Sequence, residues 1–164
     1  MKKTETQIKI LGIYQIAGGV LGLLFTFIFF SKLFFGNKSV LTIILSSILL
    51  FSFSVYCGFL LLTKKYDKGL NLSIINQIIQ VISFSVLGYT FEFCSGIFLK
   101  FGLDLTSDTL LTYNFGLTTW NLKLNSDPSL TKISINILAL MLINLIFNIK
   151  EKIIQQNKLA KSTV

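Results

Sequence analysis

Residues 89–128 read YTFEFCSGIFLKFGLDLTSDTLLTYNFGLTTWNLKLNSDP and differ from the rest of the chain, which consists mainly of plain apolar runs. Apolar side chains alternate here with polar or small ones, which is the period of a strand with one dry and one wet face. The segment Thr106-Ser107-Asp108-Thr109 supplies turn chemistry, after which the alternation resumes. We therefore predict a β-hairpin that mediates interactions, with a dry face formed by Ile97, Leu99, Phe101, Leu103, Leu105, Leu111, Tyr113, Phe115 and Leu117 and continued by Trp120.

The alternation slips by one residue at Thr118–Thr119, so that the apolar set continues as Trp120, Leu122 and Leu124. One extra residue in a strand pair is a β-bulge, which turns the following side chains to the other face. A short strand at 89–93 would extend the hairpin into a small antiparallel sheet. Because two or three strands are marginally stable alone, the dry face must be buried on the helices, on lipid or on another subunit.

Four apolar runs elsewhere in the sequence predict membrane-spanning helices at 10–31, 40–62, 70–89 and 133–149. The hydrophobic content of 52% and the mean hydropathy of +0.73 exceed what a soluble domain of this length needs. Short connections make sequential helices antiparallel neighbours. The predicted fold class is a membrane α-helical protein: a four-span up-down bundle in a single membrane domain. An extracytoplasmic β segment at 90–128 lies between the third and fourth spans, and a cytoplasmic tail occupies 150–164.

Small and polar residues within the predicted spans suggest how the helices pack. Glycine and serine at four-residue spacing allow close helix approach, which predicts packing positions at Gly18, Gly22, Ser54 and Gly58. Amides at helical spacing predict a polar intramembrane face at Asn76, Gln77, Gln80, Asn136, Asn144 and Asn148. These amides either hydrogen-bond across helices or line a water-filled path.

The distribution of lysine predicts the orientation. The formal net charge is +8, and all fifteen basic residues are lysine. With the N-terminus inside, ten of them fall in cytoplasmic segments, as the positive-inside rule requires. We expect a multi-pass protein of the bacterial inner membrane with both termini cytoplasmic. The absence of arginine argues against nucleic-acid recognition, so we expect membrane lipid and either a second copy or another membrane protein as partners.

Catalytic chemistry has little support in this sequence. Histidine is absent, which removes the usual general base and metal ligand. Glu92, Asp104 and Asp108 are the acids in the hairpin region, where solvated carboxylates are common. We expect no enzyme activity, no cofactor, no metal and no disulfide between Cys57 and Cys94, which the predicted topology separates.

Two segments resemble a known type of protein. The segments ILGIYQIAGGVLGLL (10–24) and GFLLLTKKYDKGLNLSIINQIIQ (58–80) are similar to small four-helix integral membrane proteins of bacteria, particularly Bacteroidota. Those proteins carry Trp and Arg in the turn before the third helix, where this chain has Lys64, Lys65, Asp67 and Lys68. The resemblance covers about the first half of the chain and implies a membrane fold without implying an activity.

Two functions from different classes remain open at this level. The first is a non-enzymatic membrane protein that self-assembles, or docks as an accessory subunit, through its hairpin. The second is an oligomeric channel or a membrane-perturbing effector of the toxin or defence type, with a polar path lined by the third and fourth helices.

Overall fold

The structure, a computed structural model, describes residues 2–30, 38–106, 110–124 and 127–162. Within these ranges the chain forms four helices and four strands. In chain order these are α1 (Lys2–Phe30), α2 (Lys38–Leu62), α3 (Tyr66–Val81), β1 (Ile82–Val86), β2 (Tyr89–Asp104), β3 (Leu111–Lys123), β4 (Lys132–Asn136) and α4 (Ile137–Ser162).

Helices α1 and α2 are the two membrane-span candidates among the described residues. The segments Lys3–Phe29 and Val40–Leu62 are long and apolar enough to cross a bilayer. Both helices keep large apolar side chains exposed, including Phe27 at 78% and Leu49 at 70%. By length and composition, two helices could therefore span a membrane, which is fewer than the four predicted.

The predicted four-span bundle is wrong, because the third and fourth apolar runs each divide into a helix and a strand. Helix α3 has 16 residues and gives way to extended backbone at Ile82. The fourth run begins as β4, and α4 then contributes only 137–149 before it reaches Lys150. A helix needs about 20 apolar residues to cross the hydrocarbon core, and neither segment provides them.

The strands form one antiparallel sheet in the order β1-β4-β2-β3. Strands β1 and β2 are joined by a two-residue turn at Leu87 and Gly88, both with positive φ, which suits a tight hairpin. Strand β1 also pairs with β4, and β4 pairs with the far end of β2, so these three strands close on one another. A sheet is thus present where the sequence predicts one, with more strands than the predicted hairpin.

The long β2–β3 ribbon contains one irregularity, near the predicted phase slip. The register shifts between Cys94 and Ile97, which pair with Thr119 and Leu117, so the extra residue lies in β2 and Thr118 stands opposite it. Gly96 has φ +106, a backbone conformation that side chains rarely adopt. The segment predicted as a separate strand at 89–93 is the first part of β2.

The sheet packs beside α1 and not beyond its end. A Cβ placed on Gly18, in the middle of α1, would lie 2.5 Å from the backbone nitrogen of Gly96 in β2. The four helices share a separate apolar cluster near the N-terminal end of α1, formed by Ile8, Leu11, Leu61, Leu70, Ile146 and Ile149. Helices α1 and α2 therefore pack against α3 and α4 near the N-terminal end of α1. The sheet packs against the middle of α1.

Candidate functional site

A polar cleft of about 450 Å³ opens on one face of the sheet. We call this face the cleft face. Strand periodicity accounts for it, because alternate residues of all four strands point to this side and are mostly polar. The polar side chains that line the cleft are Ser83, Ser85, Thr90, Glu92, Lys100, Thr112, Asn114, Asn121, Lys123, Lys132 and Ser134.

The deepest charged group of the cleft is the ammonium of Lys100. Its side chain is only 3% exposed, and Lys100 Nζ lies 2.6 Å from Glu92 Oε1. The same nitrogen lies 4.7 Å from the centre of the Phe98 ring, close enough for a cation–π contact. Glu92 and Lys100 stand eight residues apart on β2, on opposite sides of the bulge. A buried ammonium needs such a partner, because an unpaired charge in a low-dielectric interior is strongly unfavourable.

Cys94 and Asn136 lie behind this ion pair. The Asn136 amide donates to Cys94 Sγ at 3.5 Å, and Asn136 Oδ1 accepts from the Leu99 backbone N–H at 3.3 Å. Burial raises the pKa of the Cys94 thiol to about 11, against a smaller lowering by Lys100. At neutral pH this sulfur is a protonated thiol, which is a weak nucleophile.

A second ion pair stands at the end of β2. Lys132 Nζ lies 2.6 Å from Asp104 Oδ2, and the side chain of Asp104 is 7% exposed. The hydrogen bond from Lys132, followed by the bond from the Thr106 backbone N–H, holds the pKa of Asp104 below its usual range. Of the other acids predicted as candidates, Glu92 is in the pair described above and Asp108 lies outside the described residues. Among the described residues, no group of three or more His, Cys, Asp or Glu side chains could hold a metal ion.

The opposite side of the β2–β3 ribbon is the predicted dry face, which we call the apolar face. Its most exposed members lie on β3: Tyr113 at 81%, Leu111 at 78% and Phe115 at 68%. The others on this face are exposed or, in the case of Leu99, half-buried, namely Ile97, Leu99, Phe101, Leu103, Leu105 and Leu117. Trp120, predicted to continue this face, is half-buried, and its ring meets Phe91 and Phe93 edge-on.

The amides of α3 lie in a buried polar network that joins three helices to the sheet. Ser54 Oγ of α2 accepts from Asn76 Nδ2 at 3.2 Å and from Ser95 Oγ at 2.8 Å, and donates to the Gln15 carbonyl at 3.2 Å. Gln80 Oε1 accepts from the Ser95 backbone N–H at 2.7 Å. Gln15 of α1, which is not among the predicted amides, is fully buried. Its signal in the sequence is an amide inside an otherwise apolar run.

The remaining amides predicted for the polar face are divided among other places. Gln77 is buried in α3 beside the network, with its Nε2 unpaired among the described residues. Asn136 lies at the end of β4, next to Cys94. Asn144 and Asn148 lie on α4 and are exposed. The structure therefore gathers the α3 amides together and leaves those of α4 apart from them.

The predicted small-residue positions all lie at close contacts. A Cβ on Gly22 would meet the Phe51 ring of α2, and one on Gly58 would meet the Gly12 carbonyl oxygen of α1. Gly18 instead faces the backbone of β2, so its neighbour is the sheet and not another helix. Ser54 lies at the centre of the buried polar network.

No protein-family model, curated protein or solved structure matches this chain. Its function is therefore argued below from its own residues.

Proposed function

We propose that this protein is a non-enzymatic, membrane-associated interaction subunit that self-assembles through the outer part of β3. The observation that supports this proposal is the apolar face, which presents Leu111, Tyr113 and Phe115 uncovered on a strand at the margin of the sheet.

The outer edge of β3 favours association for a second reason, which is its unpaired backbone groups. In the described part of the chain β3 pairs only with β2, so its other row of backbone N–H and C=O groups has no strand partner. Such an edge is a template for pairing with another strand. Helix α1 approaches β3 at Thr118, whose hydroxyl lies 3.4 Å from the Gly18 carbonyl oxygen, whereas Leu111, Tyr113 and Phe115 are exposed.

A second copy of the chain would cover the apolar face and would also pair the backbone groups of the open edge. Water leaves the apolar side chains exposed, which is unfavourable by about 25 cal/mol per Å² of apolar surface. Lipid covers the side chains but leaves backbone groups unpaired, which is costly in hydrocarbon. Two β3 strands related by a twofold axis would pair their edges antiparallel and place their apolar faces side by side.

Membrane association in this proposal rests on α1 and α2, which would both cross the bilayer. Lys9 of α1, Lys65 before α3 and Lys152 of α4 lie toward one end of the molecule, since the apolar cluster described above joins those parts of the helices. Lys150 Nζ also bonds Asn71 Oδ1 of α3 at 2.6 Å. Clustering of lysine at one end supports a cytoplasmic location for that end and for both termini, in the inner membrane of a bacterium.

The test compares two lysine substitutions at similarly exposed apolar positions of the sheet. Phe115→Lys lies on the apolar face of β3, whereas Leu87→Lys lies in the β1–β2 turn, where Leu87 is 76% exposed. Native mass spectrometry of the full chain in mild detergent reports the oligomeric state of each. We expect wild type and Leu87→Lys to be oligomers of the same size and Phe115→Lys to be a monomer.

A wild-type monomer at all protein concentrations, or an unchanged oligomer with Phe115→Lys, would refute assembly through β3. The alternative function, an oligomeric channel or membrane-perturbing effector, remains a prediction. Conductance across planar bilayers, or loss of membrane potential on expression, would support it.

A further inference from the structure

The cleft has the dimensions of a small-molecule site. Ligand pockets typically enclose about 300–1,000 Å³, and the cleft encloses about 450 Å³. Serine, threonine, asparagine and lysine together supply most of its lining residues, and Phe84, Phe91 and Ile133 add apolar surface. An occupant without polar groups would desolvate the hydroxyls and amides of the cleft without replacing their hydrogen bonds. The mixed lining therefore favours a small molecule that carries several polar groups on a short carbon skeleton.

Among the described residues of the cleft, one lysine ammonium has no carboxylate partner. Lys100 is neutralised by Glu92 and Lys132 by Asp104, each at 2.6 Å. Among the described residues no carboxylate forms an ion pair with Lys123, which stands opposite Thr90 in the β2–β3 register. The site therefore carries an excess charge of about one positive unit, which attracts an anion and repels a cation. One ammonium pairs with one negative charge, whereas the second charge of a dianion would lose water in the cleft without gaining a counter-charge.

A buried hydroxyl in the cleft has no partner within the described chain. Ser83 is 6% exposed, and its Oγ makes no hydrogen bond. It stands opposite Ser134 in the β1–β4 register, and both side chains line the cleft. Buried hydroxyls are nearly always paired, so an unpaired one at the wall of a cavity marks a position where a ligand atom or a water completes the bond. Ser85 and Thr90 on the same wall already bond each other at 2.8 Å.

The geometry points to the cleft as a binding site for a small monoanion that carries hydroxyl groups. Lys123 holds the anionic group, and the Ser83 hydroxyl bonds a hydroxyl or oxygen of the same molecule. The Glu92–Lys100 pair forms the polar floor and stays intact. A hydroxylated phosphodiester has this chemistry, and it could come from solution or from the headgroup of an anionic lipid. Lys123 and Ser83, which would hold the ligand, lie outside the outer part of β3 proposed for assembly, although Tyr113 lines the cleft as well. The test below therefore decides this site independently of the oligomeric state.

The test uses glycerophosphoglycerol, a hydroxylated phosphodiester monoanion, with two partial probes. Glycerol has the hydroxyls without the charge, and dimethyl phosphate has the charge without the hydroxyls. Titration calorimetry of the full chain in neutral detergent should show saturable binding of glycerophosphoglycerol and at least tenfold weaker binding of either partial probe. In parallel, the protein is placed in nanodiscs of phosphatidylcholine with or without phosphatidylglycerol, and lipid retained after exchange into neutral detergent is measured.

Three variants locate the binding. Lys123→Gln removes the excess charge, and Ser83→Ala removes the unpaired hydroxyl; each should weaken binding roughly tenfold. Ser83→Ala should leave the thermal melting temperature unchanged or raise it, because it deletes a buried group that lacks a partner. Lys65→Gln removes the same charge from the turn before α3 and should change nothing.

The outcomes separate the two sources and also decide the proposal. Binding of the soluble diester assigns a soluble ligand, and retention of phosphatidylglycerol without soluble binding assigns a lipid headgroup. The proposal is overturned if neither the soluble diester nor phosphatidylglycerol binds, or if glycerol or dimethyl phosphate binds as tightly as the diester. It is also overturned if Lys123→Gln and Ser83→Ala both bind like Lys65→Gln.

Discussion

Gly18 permits the contact on which the joint between helix and sheet depends. A Cβ at this position would lie 2.5 Å from the Gly96 nitrogen, 2.6 Å from the Ser95 carbonyl carbon and 2.8 Å from the Gly96 Cα. All three are backbone atoms, so no side-chain rotation relieves the overlap. Ordinary contact begins near 3.4 Å, and Gly18→Ala must therefore push β2 away from α1 by about 0.9 Å.

The expected size of this effect follows from two opposing terms. Overpacking of a close contact costs about 1–3 kcal/mol, whereas alanine in a helix gains about 1 kcal/mol over glycine. Gly12→Ala is a matched control in the same helix, because its Cβ would lie at least 3.1 Å from its neighbours and two of the three nearest atoms belong to the Leu62 side chain. The control keeps the gain in helix propensity and loses most of the overlap.

We expect Gly18→Ala to be less stable than Gly12→Ala by about 1–3 kcal/mol. Unfolding of the detergent-solubilised chain by added SDS, followed by far-UV circular dichroism, measures the difference. If Gly18→Ala were as stable as Gly12→Ala, the close packing of β2 on α1 would be incorrect.

Three further predictions concern the polar interior and the ion pairs. Ser54→Ala leaves several buried groups unpaired and should destabilise the fold by about 1–3 kcal/mol. The control is Ser46→Ala, because the Ser46 hydroxyl bonds carbonyls of its own helix. This control should lower the free energy of unfolding by less than about 0.5 kcal/mol in the same SDS titration. Glu92→Gln leaves the Lys100 ammonium buried without its counter-charge and should destabilise by about 3 kcal/mol, and adding Lys100→Met should recover part of the loss in a double-mutant cycle. The pKa of Asp104 is lower in the folded chain than in the unfolded one, so its contribution is present above about pH 4 and is lost as pH falls through the folded value. Asp104→Asn should therefore reduce the acid dependence of the melting temperature below about pH 4, and an unchanged acid profile would contradict this assignment.

The elements that the sequence reveals are those with one uninterrupted pattern. Helices α1 and α2 follow from long runs without charge, and the β2–β3 ribbon follows from sustained alternation. Strands β1 and β4 cannot be predicted from hydropathy alone, because each is five residues long and adjoins a helix. The alternation is present in both, as Ile-Ser-Phe-Ser-Val at 82–86 and Lys-Ile-Ser-Ile-Asn at 132–136. Hydropathy summed over a full span hides a change of period within it.

The cleft cannot be predicted from the sequence, for a different reason. The wet positions of β2, including Lys100 and Asp104, are visible in the sequence. Their partners are set by the closure of β1, β2 and β4 on one another and by the bulge at Ser95 and Gly96. Neither feature follows from local patterns, because strand order and register depend on contacts between distant parts of the chain.

Two direct junctions between helix and strand link distant parts of this molecule mechanically. Helix α3 becomes β1 at Ile82 and β4 becomes α4 at Ile137 without intervening residues, and Ile82 pairs with Ile135. Paired strands can change register only by whole residues. The pairing of β1 with β4 therefore fixes the ends of α3 and α4 next to each other where they join the sheet. Ser83 and Ser134 are the next pair in the same register, so a displacement of either helix at its junction would reach these two cleft residues first.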